Sequence, residues 1–240
     1  MLIRHCLILL STAVLLSACN APAFDASLEG SSEKSTSGPP GLTPSAAQEL
    51  RDSGVDQYLG MFEADSSPFG VWTKHTFDAA GGNGPICIGG TDYSVFTKEG
   101  DPKKLLIFLQ GGGACWQDFY QCNVLAEAQF PPPDGVAGGI FDPTAPGNPF
   151  ADYSVVYMPY CDGSAWGGDN QVFDPTFGEA IGVPEAVVRF HRGLRNVSAG
   201  MDVAAETFPK ANRVTVAGSS AGGVGVASWA PFLARFVFGN

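Results

Sequence analysis

Three short, almost uninterrupted apolar runs punctuate the chain: residues 104–109 (KLLIFL), 153–158 (YSVVYM) and 213–217 (RVTVA). Each has the length of a strand, and none alternates as a strand with one wet face does. Such runs belong to strands buried on both faces, as in a parallel sheet covered by helices. Between the second and third, residues 184–208 change period. Pro184 stands where a first helical turn accepts proline, and Val187, Val188, Leu194, Val197, Met201 and Ala205 recur at roughly helical spacing. This segment is predicted to be the crossover helix between two parallel strands. Residues 221–236, with small residues first and apolar ones after, are predicted to be one further helix. Residues 131–149 are rich in Pro, Gly and Asp without period and predict a long surface loop. The succession predicts an α/β fold with a mostly parallel sheet and flanking helices.

The first residues follow a different logic. Arg4, an apolar run over residues 6–16 and a small-residue cleavage site read as an export signal covering residues 1–18. The run falls well short of the ~20 residues that a membrane-spanning helix needs. It ends in Leu16-Ser17-Ala18-Cys19, which resembles a bacterial lipobox, so Cys19 is expected to carry lipid and anchor an exported chain to the cell envelope, at the outer membrane or cell surface. Residues 19–45, with SSEKSTSGPPG at their centre, have few groups able to build a core and read as a flexible tether. Residues 46–240 remain for folding, a usual size for one domain.

Twenty-four acidic residues against 13 basic ones give a formal charge of −11. That charge argues against nucleic acid or an anionic membrane surface as partner, so membrane contact is expected through the lipid alone. It is also a poor electrostatic match for a polyanionic substrate. Of the six cysteines, Cys6 leaves with the signal and Cys19 takes lipid, so Cys87, Cys115, Cys122 and Cys161 remain for an oxidising compartment. Four cysteines allow three pairings, and none shows the CxxC or His spacing of a zinc site, which favours two disulfides over a metal.

Chemistry enters where strands end. Gly218-Ser219-Ser220-Ala221-Gly222 fits G-x-S-x-G between a predicted strand and a predicted helix. Small residues are needed there because the chain reverses sharply and holds the serine backbone under strain, which exposes its Oγ beside the free N–H groups of a helix start. Alone, the pentapeptide reads equally as a glycine-rich turn or a phosphate-binding turn. Directly after the first apolar run stand Gln110-Gly111-Gly112-Gly113-Ala114, whose glycines leave backbone N–H groups uncovered, as an oxyanion hole requires. Two such loops at the carboxyl ends of parallel strands should meet at one crevice. Together they point to a serine hydrolase.

The strings LIFLQGGGACW, MPYCDGSAWGG and VAGSSAGGVG, in this order, resemble the pectin acetylesterase and Notum family of carboxylesterases. The resemblance covers residues 87–240 and implies an α/β-hydrolase-like fold. It implies Ser220 as nucleophile, with the N–H groups of Gly112, Gly113 and Ala221 around the oxyanion. It also implies disulfides pairing Cys115 with Cys122 and Cys87 with Cys161, and no cofactor. In α/β-hydrolases the acidic residue and the histidine follow the serine, yet residues 221–240 contain no His, Asp or Glu. The histidines left after signal removal, His75 and His191, lie upstream and read as structural, as does Asp162 beside its glycine. The chain is therefore expected to be the N-terminal part of its domain, with the C-terminal part missing and little turnover of its own. The function implied is removal of acyl groups, acetyl foremost, from a carbohydrate or related small ester. The alternative is a non-catalytic surface lipoprotein that binds glycan or a protein partner.

Overall fold

A computed structural model describes residues 43–116, 119–120, 129–132, 139–182 and 184–239. The residues read as signal, Cys19 with its expected lipid, most of the expected tether, and Cys122 lie outside the described residues. Regular structure starts within the stretch read as tether. Helix α1 (Pro44–Asp52) opens with Pro44 in its first turn, and Thr43 Oγ1 accepts the N–H of Ala46 at 3.2 Å.

Strands β1 (Asp65–Phe69), β2 (Trp72–Phe77), β3 (Tyr93–Lys98) and β4 (Asp101–Leu109) follow, then the two-residue strands β5 (Cys115–Trp116) and β6 (Phe119–Tyr120) and strand β7 (Tyr153–Met158). Next come β8 (Asn170–Phe173), the short helix α2 (Phe177–Ile181), β9 (Val188–His191), helix α3 (Gly193–Thr207), β10 (Arg213–Gly218), and helices α4 (Ala221–Ala227) and α5 (Ala230–Phe238). The central sheet has the order β1-β2-β3-β7-β4-β10. The three runs singled out in the sequence are its parallel part, with β4 between β7 and β10. The α/β class holds and the sheet is mixed, because β1, β2, β3 and β7 pair antiparallel in succession. Residues 65–69, with two serines and a proline, and residues 72–77 (WTKHTF) carry too little apolar character to announce themselves. They become strands by pairing with their neighbours.

Two helix expectations are corrected. Residues 184–208 are not one helix: Val188–His191 pairs antiparallel with Asn170–Phe173, and α3 starts only at Gly193. Branched and aromatic residues at 187–190 favour the extended pairing, which tertiary contact selects over a merely helix-compatible spacing. The segment predicted as one helix over 221–236 is two, bent by 56° between Ala227 and Ala230. Pro231 sits in the first turn of α5. A proline inside a continuous helix would lack its N–H and press on the carbonyl of Ala227, so the helix breaks and restarts with proline where it is tolerated. No single described helix is long and apolar enough to cross a membrane. The described part of the stretch predicted as a loop is a run of turns, pinned by Asp142 and Asn148.

One sheet face, built by Leu105, Ile107, Leu109, Val156 and Met158, packs on Val197 and Met201 of α3 and on Leu233 of α5. Each such side chain contributes about 1.5–3 kcal/mol on burial. Gly200 lets α3 approach closely, since a Cβ there would lie 2.7 Å from Met158 Sδ. On the opposite face, Phe108 and Tyr157 stack at 5.7 Å and meet the edge of Phe141 from the 139–149 turns. Strand β10 is the sheet's edge among the described residues, and between it and α5 runs a groove of about 630 Å³ lined by Val214, Val216, Pro231 and Phe238. Cys87 and Cys161 form the disulfide that the resemblance implies, joining the segment before β3 to the end of β7. Cys115 is also disulfide-bonded, while Cys122, its expected partner, lies outside the described residues.

Candidate active site

The register brings Met158, Leu109 and Gly218 side by side at the carboxyl ends of β7, β4 and β10. The three motif loops therefore leave the sheet from adjacent points. Ser220 turns the chain from β10 into α4 with φ 50° and ψ −118°, a region that L residues occupy only when the surroundings over-determine it. Those surroundings are backbone. Ser219 N–H donates to Leu109 O at 3.2 Å, and Gly222 N–H to Ser219 O at 2.8 Å. A Cβ on Gly222 would lie 2.6 Å from the carbonyl carbon of Leu109 and 2.9 Å from Gln110 O, so only glycine fits. The glycine loop closes on the same turn, where a Cβ on Gly111 would lie 2.8 Å from Ser220 Cβ. The expected meeting of the two loops is thus van der Waals contact.

Ser220 is exposed, and its Oγ makes no hydrogen bond to a described residue. Around it stand unused donors. Gly111 N–H donates to Ser219 Oγ at 3.2 Å, whereas the N–H groups of Gly112, Gly113 and Ala221 meet no acceptor among the described residues. Gly113 has φ 82°, a conformation for which glycine is suited. Backbone N–H groups without an acceptor can hold negative charge.

Residues 71–237 match the family described as pectinacetylesterase. The chain belongs to the pectinacetylesterase family. It is also 34% identical over 134 residues to the palmitoleoyl-protein carboxylesterase NOTUM of Schmidtea mediterranea, a match covering 52% of this chain and 23% of that protein. The chain thus spans about a quarter of that relative's length. Among solved structures it is similar to the Wnt deacylase Notum from Drosophila, with 23% identity and a TM-score of 0.44 over 59% of this chain and 42% of the other.

The titratable groups of this pectinacetylesterase-family chain lie away from Ser220 in their bonding. His75 shares its ring nitrogens with Ser66 and Thr97, and burial lowers its pKa. His191 lies on β9 rather than in the crossover helix, with Nδ1 2.9 Å from Asp162 O; burial and the neighbouring Arg189 lower its pKa. Neither ring is bonded to Ser220. Asp162 is buried and accepts the Ser164 hydroxyl, and burial, offset only in part by hydrogen bonds from Ser164, raises its pKa to about 6. Its folded value lies above the ordinary 3.8, so the stability it lends is full below that value and is lost as pH rises through about 6. Asp162→Asn removes this dependence. Relative to wild type, the variant is expected to gain about 2 kcal/mol between pH 4 and pH 8 in urea unfolding, and a difference that stays constant with pH refutes the assignment. Two residues inside the motif strings have places in the fold that the sequence reading did not assign. Gln110 carries three hydrogen bonds, and Trp166 is completely buried. Only their neighbours in space reveal them.

Proposed function

We propose that this chain carries the nucleophile and oxyanion donors of a serine carboxylester hydrolase. The observation that carries the reading is the strained backbone of Ser220, which lifts an unbonded Oγ beside the free N–H groups of Gly112, Gly113 and Ala221. Oγ attacks the ester carbonyl carbon, the carbonyl electron pair moves onto oxygen, and the three N–H groups hold that charge. Collapse breaks the C–O bond to the alcohol, which departs with the proton that the base took from Ser220, and leaves an acyl group on Ser220, which water then releases as the acid. A base takes the hydroxyl proton in the first step, and none of the described histidines or carboxylates is bonded to Ser220. No metal or organic cofactor enters this chemistry.

Membership in the pectinacetylesterase family supports acetyl esters of a carbohydrate as substrate, while the relative's name speaks of a palmitoleoyl ester on protein. The charge of −11 favours a neutral acetylated glycan over a polyanionic one. The Leu16-Ser17-Ala18-Cys19 string supports lipid anchoring of an exported chain at the cell envelope. The alternative reading is a surface protein that binds glycan without turning it over.

Treatment with a fluorophosphonate, followed by peptide mass analysis, separates the two. The esterase reading expects a single adduct on the peptide holding Ser220, lost in Ser220→Ala. A folded full-length protein that stays unmodified at pH 8 overturns it and leaves the binding reading.

A further inference from the structure

Trp166 occupies the loop after β7, completely buried, in a backbone conformation that its side chain alone would not choose. Ala165 has φ 53° and Trp166 φ 70°, two successive non-glycine residues in the left-handed region. Strain of this kind persists where neighbours impose it. Here they do. Ala165 N–H donates to Tyr160 Oη at 2.7 Å, Gly168 N–H to Ser164 Oγ at 3.0 Å, and Ser164 in turn binds Asp162. Two glycines make room for Trp166: a Cβ on Gly193 would lie 2.6 Å from Trp166 Cα, and one on Gly225 would lie 3.0 Å from Trp166 Cβ; a Cβ on the next residue, Gly167, would collide with Trp229 Cη2.

The outcome is one hydrogen bond. The indole Nε1–H, a group that can only donate, meets Gln110 O at 3.0 Å. Gln110 is already tied through its N–H to Met158 O and through its side-chain oxygen to Tyr160 N–H, both at 3.0 Å. A trans peptide is planar, with its C=O and N–H on opposite sides. Fixing Gln110 O therefore aims the Gly111 N–H the other way, at Ser219 Oγ, and sets the direction in which Gly112 and Gly113 leave.

We propose that Trp166 is a positioning residue that holds the glycine loop in its donor-presenting conformation through Gln110. The proposal rests on the oxyanion reading of that loop, but its structural core is testable without turnover. In Trp166→Phe the ring position stays filled and the donor is lost. Amide hydrogen exchange at Gly111 is expected to accelerate about tenfold or more, while Leu105–Leu109 in β4 and the amides of Gly193 and Gly225 beside the ring change far less. Fluorophosphonate labelling of Ser220 slows by about tenfold in the same variant, in keeping with the sensitivity of such sites to a lost donor. An unchanged Gly111, or equal acceleration at Gly193 and Gly225, overturns the positioning role and reduces the indole to filler. Should the Phe variant fail to fold, the wild-type chain decides: the Trp166 indole N–H must be protected from solvent exchange, and a freely exchanging proton overturns the proposal. Failure of the esterase reading looks different, since wild-type Ser220 would then resist labelling while the exchange pattern stands.

Discussion

Gly222→Ala is expected to destabilise the chain by at least about 3 kcal/mol and to abolish labelling of Ser220, whereas Gly223→Ala, one residue on, is expected to be neutral or slightly stabilising. The contrast comes from what each new methyl group meets. At Gly222 it lies 2.6 Å from the carbonyl carbon of Leu109 and 2.9 Å from Gln110 O, backbone atoms at and just past the end of a central strand that cannot swing aside. At Gly223 its nearest neighbour is Gly218 O at 3.8 Å, ordinary contact. A methyl group there adds helix propensity worth up to about 1 kcal/mol. Urea unfolding of the two variants beside wild type checks both halves. Similar midpoints for all three would mean that α4 does not seat on β4 as described.

Replacing Cys87 and Cys161 together by Ser is the second change expected to have a large effect. The bridge spans a sequence separation of 74 residues, and both sulfurs are buried. Freeing a loop of that length restores chain entropy to the unfolded state, which corresponds to about 4 kcal/mol of lost stability. For a domain of this size the thermal midpoint should fall by about 10 °C. The bridge ends next to Asp162, so its loss also loosens the loop that carries Ser164 and Trp166, and Ser220 labelling should slow in the double variant. A midpoint within a degree or two of wild type would show that packing of β3 against β7 already restrains these segments.

The parallel half of the sheet was legible because strands covered on both faces are largely apolar, as residues 105–109 and 153–158 are; residues 213–218 carry the same signal although the strand they form is only half-buried. The nucleophile turn was legible for a related reason: backbone atoms of Ser219 crowd position 111, those of Gly222 and Leu109 crowd position 218, and those of Leu109 and Gln110 crowd position 222, and crowding of that kind writes glycine into the sequence. The antiparallel half was not legible. Its strands keep polar residues such as Ser66, Lys74 and Thr97, and their pairing is decided by partners far along the chain. A helix over 184–208 is an over-reading, since Val187, Val188 and Leu194 satisfy a helical period equally whether or not residues 188–191 pair with 170–173. Trp166 was invisible as a support for the glycine loop because its role depends on a hydrogen bond across 56 positions, to a carbonyl that every residue possesses.

The edge position of β10 has a consequence for handling the protein. A strand whose outer N–H and C=O groups meet no described neighbour, flanked by a groove that sets Val214, Val216 and Phe238 beside Arg213 and Arg235, is a template on which another extended segment can add. The same strand delivers Ser220. Aggregation seeded there would therefore silence the nucleophile before the fold itself was lost, so the labelled fraction in a stored sample is an earlier sign of deterioration than its circular dichroism.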